Sequence, residues 1–205
     1  RSRYSIKQIE KFFEQVKKIN VGLIGEIIID IYAFGEALGK SGKEPIMMIK
    51  NINEEKYLGG TGAIANHLSS FINKIDLYGM IGEKKENLNF IRGNLKKNII
   101  QNFYLKNKSP TILKKRYLDH VTNNKIIGFY TINDDVIKKN DEVKLINNIT
   151  KIINRNKINI ISDYGHGMIT ENVKKIINKN KNFTAINTQV NAANIATFNL
   201  TKYSF

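Results

Sequence analysis

The sequence predicts an α/β fold: a ribbon of mostly parallel strands forming a central sheet, flanked by helices, with a small β lid supplied by two inserted hairpins. Three observations predict it. Short unbroken apolar runs recur near residues 21–31, 76–81, 99–105, 158–161 and 183–186, the pattern of strands covered on both faces. Stretches with apolar residues at helical spacing lie between several of them, as right-handed βαβ units require. Two extended stretches, about 45–58 and 111–133, break that rhythm and read as hairpins outside the main sheet.

Taken in order, residues 5–18 place Ile6, Ile9, Phe13 and Val16 among lysines, which predicts a helix packed onto the body. We treat 1–19 as this helix and 20–205 as one domain. From Asn20 the runs VGLIG and IIIDIY predict a buried strand that ends at Asp30, followed by an irregular, glycine-bearing segment over 32–44. IMMIKNI and residues 54–58 are two short extended pieces, too close for a crossover helix. Gly59 and Gly60 then open a helix with Ile64, Leu68, Phe71 and Ile72 on one face. Bare amides at a helix start can approach a ligand closely, although a tight turn needing glycine explains the same residues.

DLYGMI forms the next strand, Leu88, Ile91 and Leu95 a helix, and residues 99–105 a further strand. Thr122-Asn123-Asn124 is turn chemistry between two extended runs, so 111–133 is the second hairpin. Val143, Ile146, Ile149 and Ile153 predict the inner face of a helix. Residues 158–161 form a buried strand that runs into Ser162-Asp163-Tyr164-Gly165-His166-Gly167. Thr170 then caps a helix, and 183–186 is the last clear strand.

Composition narrows the function. With 205 residues, 41% hydrophobic and 25% charged, the chain can bury a substantial core. Without cysteine, disulfides and thiolate metal sites are excluded. No apolar run reaches a membrane span of about 18 residues, and the expectation is a soluble, cytoplasmic protein without a membrane partner. The net charge of +15 is spread along the chain, its longest basic run being Lys114-Lys115-Arg116. That distribution argues against a nucleic-acid partner and suits attraction of phosphorylated small molecules.

Several motifs are excluded on context. Gly60-Thr61-Gly62-Ala63-Ile64-Ala65 matches a dinucleotide fingerprint, but the preceding Glu54-Glu55-Lys56-Tyr57 is polar where that motif needs a buried strand. No phosphate-binding loop ending in Gly-Lys-Ser/Thr is present. His67, His120 and His166 lack metal-ligand spacing, so no metal site is assigned, and the three read as surface or structural histidines. No serine sits in a nucleophile elbow. What remains is Asp30 after the first strand, Gly59-Gly60 at a helix start and Asp163 after a later strand. All three belong on the carboxyl edge of a parallel sheet, where such folds bind ligands. Carboxylates accept hydrogen bonds from hydroxyls and glycine amides donate them, so a polyhydroxylated ligand such as a sugar fits. The alternative is that Asp30 and Asp163 merely cap neighbouring loops.

Five pieces in this order, VGLIGEIIIDIY, EPIMMIK, YLGGTGAIANHLSSF, TILKKRYLDHV and ISDYGHGMIT, resemble the ribokinase (PfkB) family of carbohydrate kinases from about Val21 onward. Within it, the resemblance is greatest to the kinase domain of bifunctional heptose-phosphate kinase/nucleotidyltransferases of lipopolysaccharide precursor synthesis. The resemblance implies ATP-dependent phosphorylation of a sugar or sugar phosphate, with ATP and Mg²⁺ as cofactors and a homodimer formed through the lid. It implies that Asp30, Gly59 and Gly60 bind the sugar, that Arg116 reaches its phosphate, that Asp163 lies near the transferred group, and that nucleotide binds toward the C-terminal half near Asn187.

Three departures stand out. Ala63 occupies a position where the family commonly has asparagine, with Asn66 one turn on, and His166 stands where a lysine is often found. The family's second glycine-rich helix start, bearing the catalytic aspartate, is not in these 205 residues and is expected beyond Phe205. The resemblance therefore implies an N-terminal portion that is inactive by itself, with no catalytic residue assigned here. A noncatalytic sugar-binding or dimerisation module of the same fold is the alternative.

Overall fold

The computed structural model describes residues 4–189. Its spine is one long strand, β1 (Asn20–Lys40), whose inner and outer halves belong to different sheets. Over residues 20–26, β1 pairs in parallel with β3 (Lys74–Gly82) on one side and β7 (Ile158–Asp163) on the other. β4 (Ile99–Lys106) extends the sheet beyond β3, and β8 (Phe183–Thr188) beyond β7, giving five parallel strands in the order β4-β3-β1-β7-β8. From Ile28 outward, the same strand pairs antiparallel with β2 (Met47–Gly59) and parallel with β5 (Ile112–Asp119), which pairs antiparallel with β6 (Lys125–Thr131).

The apolar runs explain this arrangement. Val21, Leu23, Ile27 and Ile29 pack on one face of β1 with Ala65, Ile75, Leu77 and Ile91, while Ile24 and Ile28 pack on the other with Leu145, Ile149, Ile153 and Val173. Alternate residues of a strand point to opposite faces, so an unbroken run is stable only when both are covered. On the first face lie α2 (Gly60–Leu68) and α3 (Leu88–Asn94); on the second lie α4 (Lys139–Arg155) and α5 (Glu171–Lys179). Glu142 of α4 is buried between the last two helices, accepting hydrogen bonds from the Thr170 hydroxyl and from Asn172 Nδ2 at 2.9 Å. Thr170 also caps α5 by accepting from Val173 N–H, as its position before the helix predicts.

Four details depart from the sequence expectation. The first strand does not end at Asp30: it continues through the glycine-bearing segment to Lys40, because its outer half gains partners on both sides. The first hairpin of the lid is therefore β1 with β2, and residues 47–59 form one strand rather than two short pieces. Val143 is exposed, and Leu145 and Ile152 take the inner face of α4 with Ile149 and Ile153. Helix α1 (Ile6–Lys17) forms with a Ser5–Gln8 capping box, yet buries none of its residues; it touches the body through Phe13 stacked on Phe71, 6.1 Å between ring centres.

Candidate active site

Glu26, Ile28, Asp30 and Tyr32 alternate along β1, so their side chains share one face as the strand crosses from the main sheet into the lid. At that crossing β2 ends and α2 begins. Gly59 pairs with Ile28, and a Cβ on Gly59 would collide with the Asp30 carboxylate. Gly60 has φ +55°, and a Cβ there would strike the Glu26 carbonyl and the Ile28 amide. The diglycine thus fills a slot with no room for side chains, directly against Asp30. The carboxylate and the helix-start amides are brought together, as the sequence predicts.

Arg116, on the neighbouring β5, pairs with Tyr32 in register and donates from Nη1 to Asp30 Oδ1 at 2.6 Å. Its guanidinium lies against the rings of Tyr32 and Tyr130, 5.8 and 5.4 Å from their centres. These aromatic contacts hold the guanidinium plane on the site face of the lid. Lys114 pairs directly with Asp30 on the same face, so two cations flank one carboxylate.

Asp163 closes β7 on the carboxyl edge of the main sheet and is buried. Its Oδ1 accepts from Gly165 N–H at 2.9 Å, and burial raises its pKa above the ordinary carboxylate value. Asn187, near the end of β8, is exposed and pairs with Ser162, one residue short of Asp163. Asn66 does not stand in for the residue missing at Ala63: it donates to Asn94 O and accepts from Lys96 N–H, tying α2 to the C-terminal end of α3.

Sequence reasoning missed three groups here. Glu26 is fully buried and accepts from Tyr164 N–H at 3.0 Å; a carboxylate inside an otherwise apolar run was the available signal. Lys106, at the end of β4, is buried and donates to the carbonyls of Asn133 and His166 at 2.5 and 2.9 Å, its pKa lowered by burial. His166, read as a surface or structural histidine, is a buried one, with Nδ1 2.6 Å from Asp134 Oδ1. Burial lowers its pKa against the raising effect of Asp134.

Most of the buried polar atoms left without partners lie at this edge. Among the described residues, Glu26 Oε1, Thr61 Oγ1, Ser162 Oγ, Asp163 Oδ2, His166 Nε2 and Thr188 Oγ1 are buried and unpaired, as is Asn159 Oδ1 nearer the other end of β7. Buried polar atoms are nearly always hydrogen-bonded, which makes this concentration unusual. A cavity of about 500 Å³ lies along the outer edge of β4, lined by Lys85, Arg92, Lys151 and Arg155; it contains none of these groups.

This architecture is the ribokinase-like fold. The fold matches Arabidopsis thaliana ribokinase complexed with ribose and ATP, with a TM-score of 0.54 at 16% identity over 82% of this chain and 53% of that one. It also matches Escherichia coli phosphofructokinase-2 in complex with fructose-6-phosphate, with a TM-score of 0.60 at 10% identity over 85% of this chain and 56% of that one. In sequence the chain is similar to the bifunctional HldE proteins. It is 29% identical to that of Aliarcobacter butzleri over 156 residues, and 30% identical to that of Helicobacter pylori strain G27 over 155 residues, in each case 75% of this chain. These matches cover 32% and 33% of the relatives, so the chain spans about a third of their length. No protein-family model matches the sequence.

Proposed function

We propose that the crevice between the lid and the carboxyl edge of the main sheet binds a sugar or sugar phosphate, heptose-phosphate-like, for ATP-dependent phosphorylation. One observation carries this reading: Asp30 lies against the side-chain-free slot of Gly59 and Gly60, so an acceptor and bare amides face one ligand. Asp30 accepts from sugar hydroxyls, the diglycine amides donate, and Arg116 exchanges its bond to Asp30 for the substrate's phosphate. Asp163 stands near the group being transferred. The lid excludes water, which competes with the sugar hydroxyl for the phosphoryl group.

ATP is proposed to bind on the β8 side, near Asn187, with Mg²⁺ arriving on its phosphates and neutralising their charge. The described residues hold no group of three or more His, Asp or Glu side chains placed around a cation, so no metal ligand is assigned to them. The 205 residues alone are proposed not to turn sugar over, because the sequence lacks a second glycine-rich helix start bearing an aspartate. No described helix is long and apolar enough to cross a membrane, and we place the activity in the cytoplasm, where ATP is supplied.

Calorimetric titration with fructose 6-phosphate and with ribose tests the reading. The sugar phosphate binds, and Asp30→Ala weakens it at least about tenfold, the loss of one charge-assisted contact. Equal affinity in wild type and Asp30→Ala, or no binding of either probe, overturns it. Robust sugar-dependent ATP consumption by these residues alone overturns the proposal that they do not turn over.

A further inference from the structure

We propose that Glu26 is a positioning residue of the sugar site: buried and protonated behind Asp163, it fixes both the turn after β7 and the charge that Asp163 offers to a bound sugar. The proposal rests on the sugar-binding reading above and adds a residue to it. Two buried carboxyls grip consecutive amides of one turn. Glu26 Oε2 accepts from Tyr164 N–H at 3.0 Å, and Asp163 Oδ1 accepts from Gly165 N–H at 2.9 Å. Each carboxyl then has one oxygen left, Glu26 Oε1 and Asp163 Oδ2, and both are buried with no partner.

Two ionised carboxylates near enough to feel each other's charge, and buried away from water, repel and lack the solvation that would offset it. The neighbouring cations do not cancel them. Lys106 from β4 spends its protons on the carbonyls of Asn133 and His166 and has Asp134 and Asp135 beside it. Lys174 from α5 donates to Glu171 at 2.6 Å, and His166, Nδ1 on Asp134, is held below its ordinary pKa. One proton on Glu26 removes the repulsion; burial and the charge of Asp163 push its pKa up to about 7. Asp163 is raised by burial but eased back by Gly165 N–H, Lys174 and His166. The outcome is a neutral Glu26 behind an anionic Asp163, with the 164–168 turn tied to β1.

Difference infrared spectroscopy of the ligand-free protein tests the proton directly. A protonated-carboxyl band present at about pH 6 disappears as the pH passes through about 7; Glu26→Gln abolishes it, and Asp163→Asn lowers its midpoint by about one unit by removing the like charge. No band in wild type at about pH 6, a band that survives Glu26→Gln, or an unmoved midpoint in Asp163→Asn overturns the protonated Glu26. The positioning role is read separately with fructose 6-phosphate. Corrected for the titration of its own phosphate, its affinity falls at least about threefold between about pH 6 and about pH 8 in wild type and stays constant in Glu26→Gln, which keeps the side-chain shape. A flat wild-type profile beside a titrating band overturns positioning. Failure of the probe to bind sinks the sugar reading, and the infrared result still decides the proton.

Discussion

Arg116 Nη1 lies 2.6 Å from Asp30 Oδ1, although 86 residues separate them in the chain. The contact crosses from the spine strand to the second hairpin of the lid. Its two side chains retain about a fifth of their exposure, so the charges are only partly screened by water.

Breaking this pair from either side should therefore have different consequences. Arg116→Met is expected to cost about 1–3 kcal/mol in urea unfolding, since Asp30 keeps its charge and loses its strongest partner. Asp30→Asn should cost less in stability, because Lys114 and Arg116 can both turn to solvent, but should weaken sugar-phosphate binding more. Equal effects of the two variants on both quantities would show that the pair is structural only.

The two glycines should also separate. Gly60→Ala places a Cβ at φ +55° against the Glu26 carbonyl and should destabilise the fold by about 2 kcal/mol or more. Gly59→Ala meets the movable Asp30 carboxylate instead. It should retain most stability while displacing Asp30 and reducing affinity for fructose 6-phosphate. Thermal unfolding and calorimetry on the same samples read both.

His166 and Glu26 should pull stability in opposite directions below neutrality. The pKa of His166 is lowered by burial, so its contribution is present above its unfolded value near 6.5 and is lost as the pH falls through the folded value. Glu26 runs the other way. Raised to about 7, it contributes stability fully below its unfolded value of 4.5, and this is lost as the pH rises toward 7. Chemical unfolding from about pH 5 to about pH 7 should show stability falling more with rising pH in His166→Gln than in wild type, and rising with pH in Glu26→Gln. A profile unchanged in His166→Gln would remove that histidine from the account.

The lid leaves Ile127 and Phe129 of β6 exposed on the face opposite Arg116, with Tyr117 packed edge-on to Phe129. We propose that a second copy covers them in a homodimer. Phe129→Glu combined with Ile127→Glu should convert a dimer in sedimentation to a monomer without lowering the unfolding temperature of the monomer. A wild-type monomer at high concentration would end that proposal.

The parallel sheet was legible because doubly covered strands leave continuous apolar runs, and the lid because Asn-rich turn chemistry interrupts the alternation of strands and helices. Asp163 could be placed on the carboxyl edge for the same reason, since carboxyl ends of parallel strands converge, whereas Asp30, with Gly59 against it, lies in the lid half of β1, paired with Tyr57 and Lys114. The extent of β1 was not legible. Whether residues 32–40 form a strand depends on partners at 47–59 and 112–119, far along the chain. The inner face of α4 was misjudged at Val143, since periodicity gives the width of an apolar stripe but not which rotation meets the sheet.

By itself, then, the sequence determined the layered α/β architecture and the residues at the ligand edge, because burial on two faces and glycine at a helix start are local demands written in residue type. Only the tertiary structure decided that Arg116 reaches Asp30, that His166 meets Asp134, and that Glu26 and Asp163 hold neighbouring amides of one turn. Apart from the local Asp163–Gly165 contact, those pairings join residues 32 to 138 positions apart. A charge acquires its partner, and a buried carboxyl its proton, only when separate strands are brought side by side and water is excluded between them.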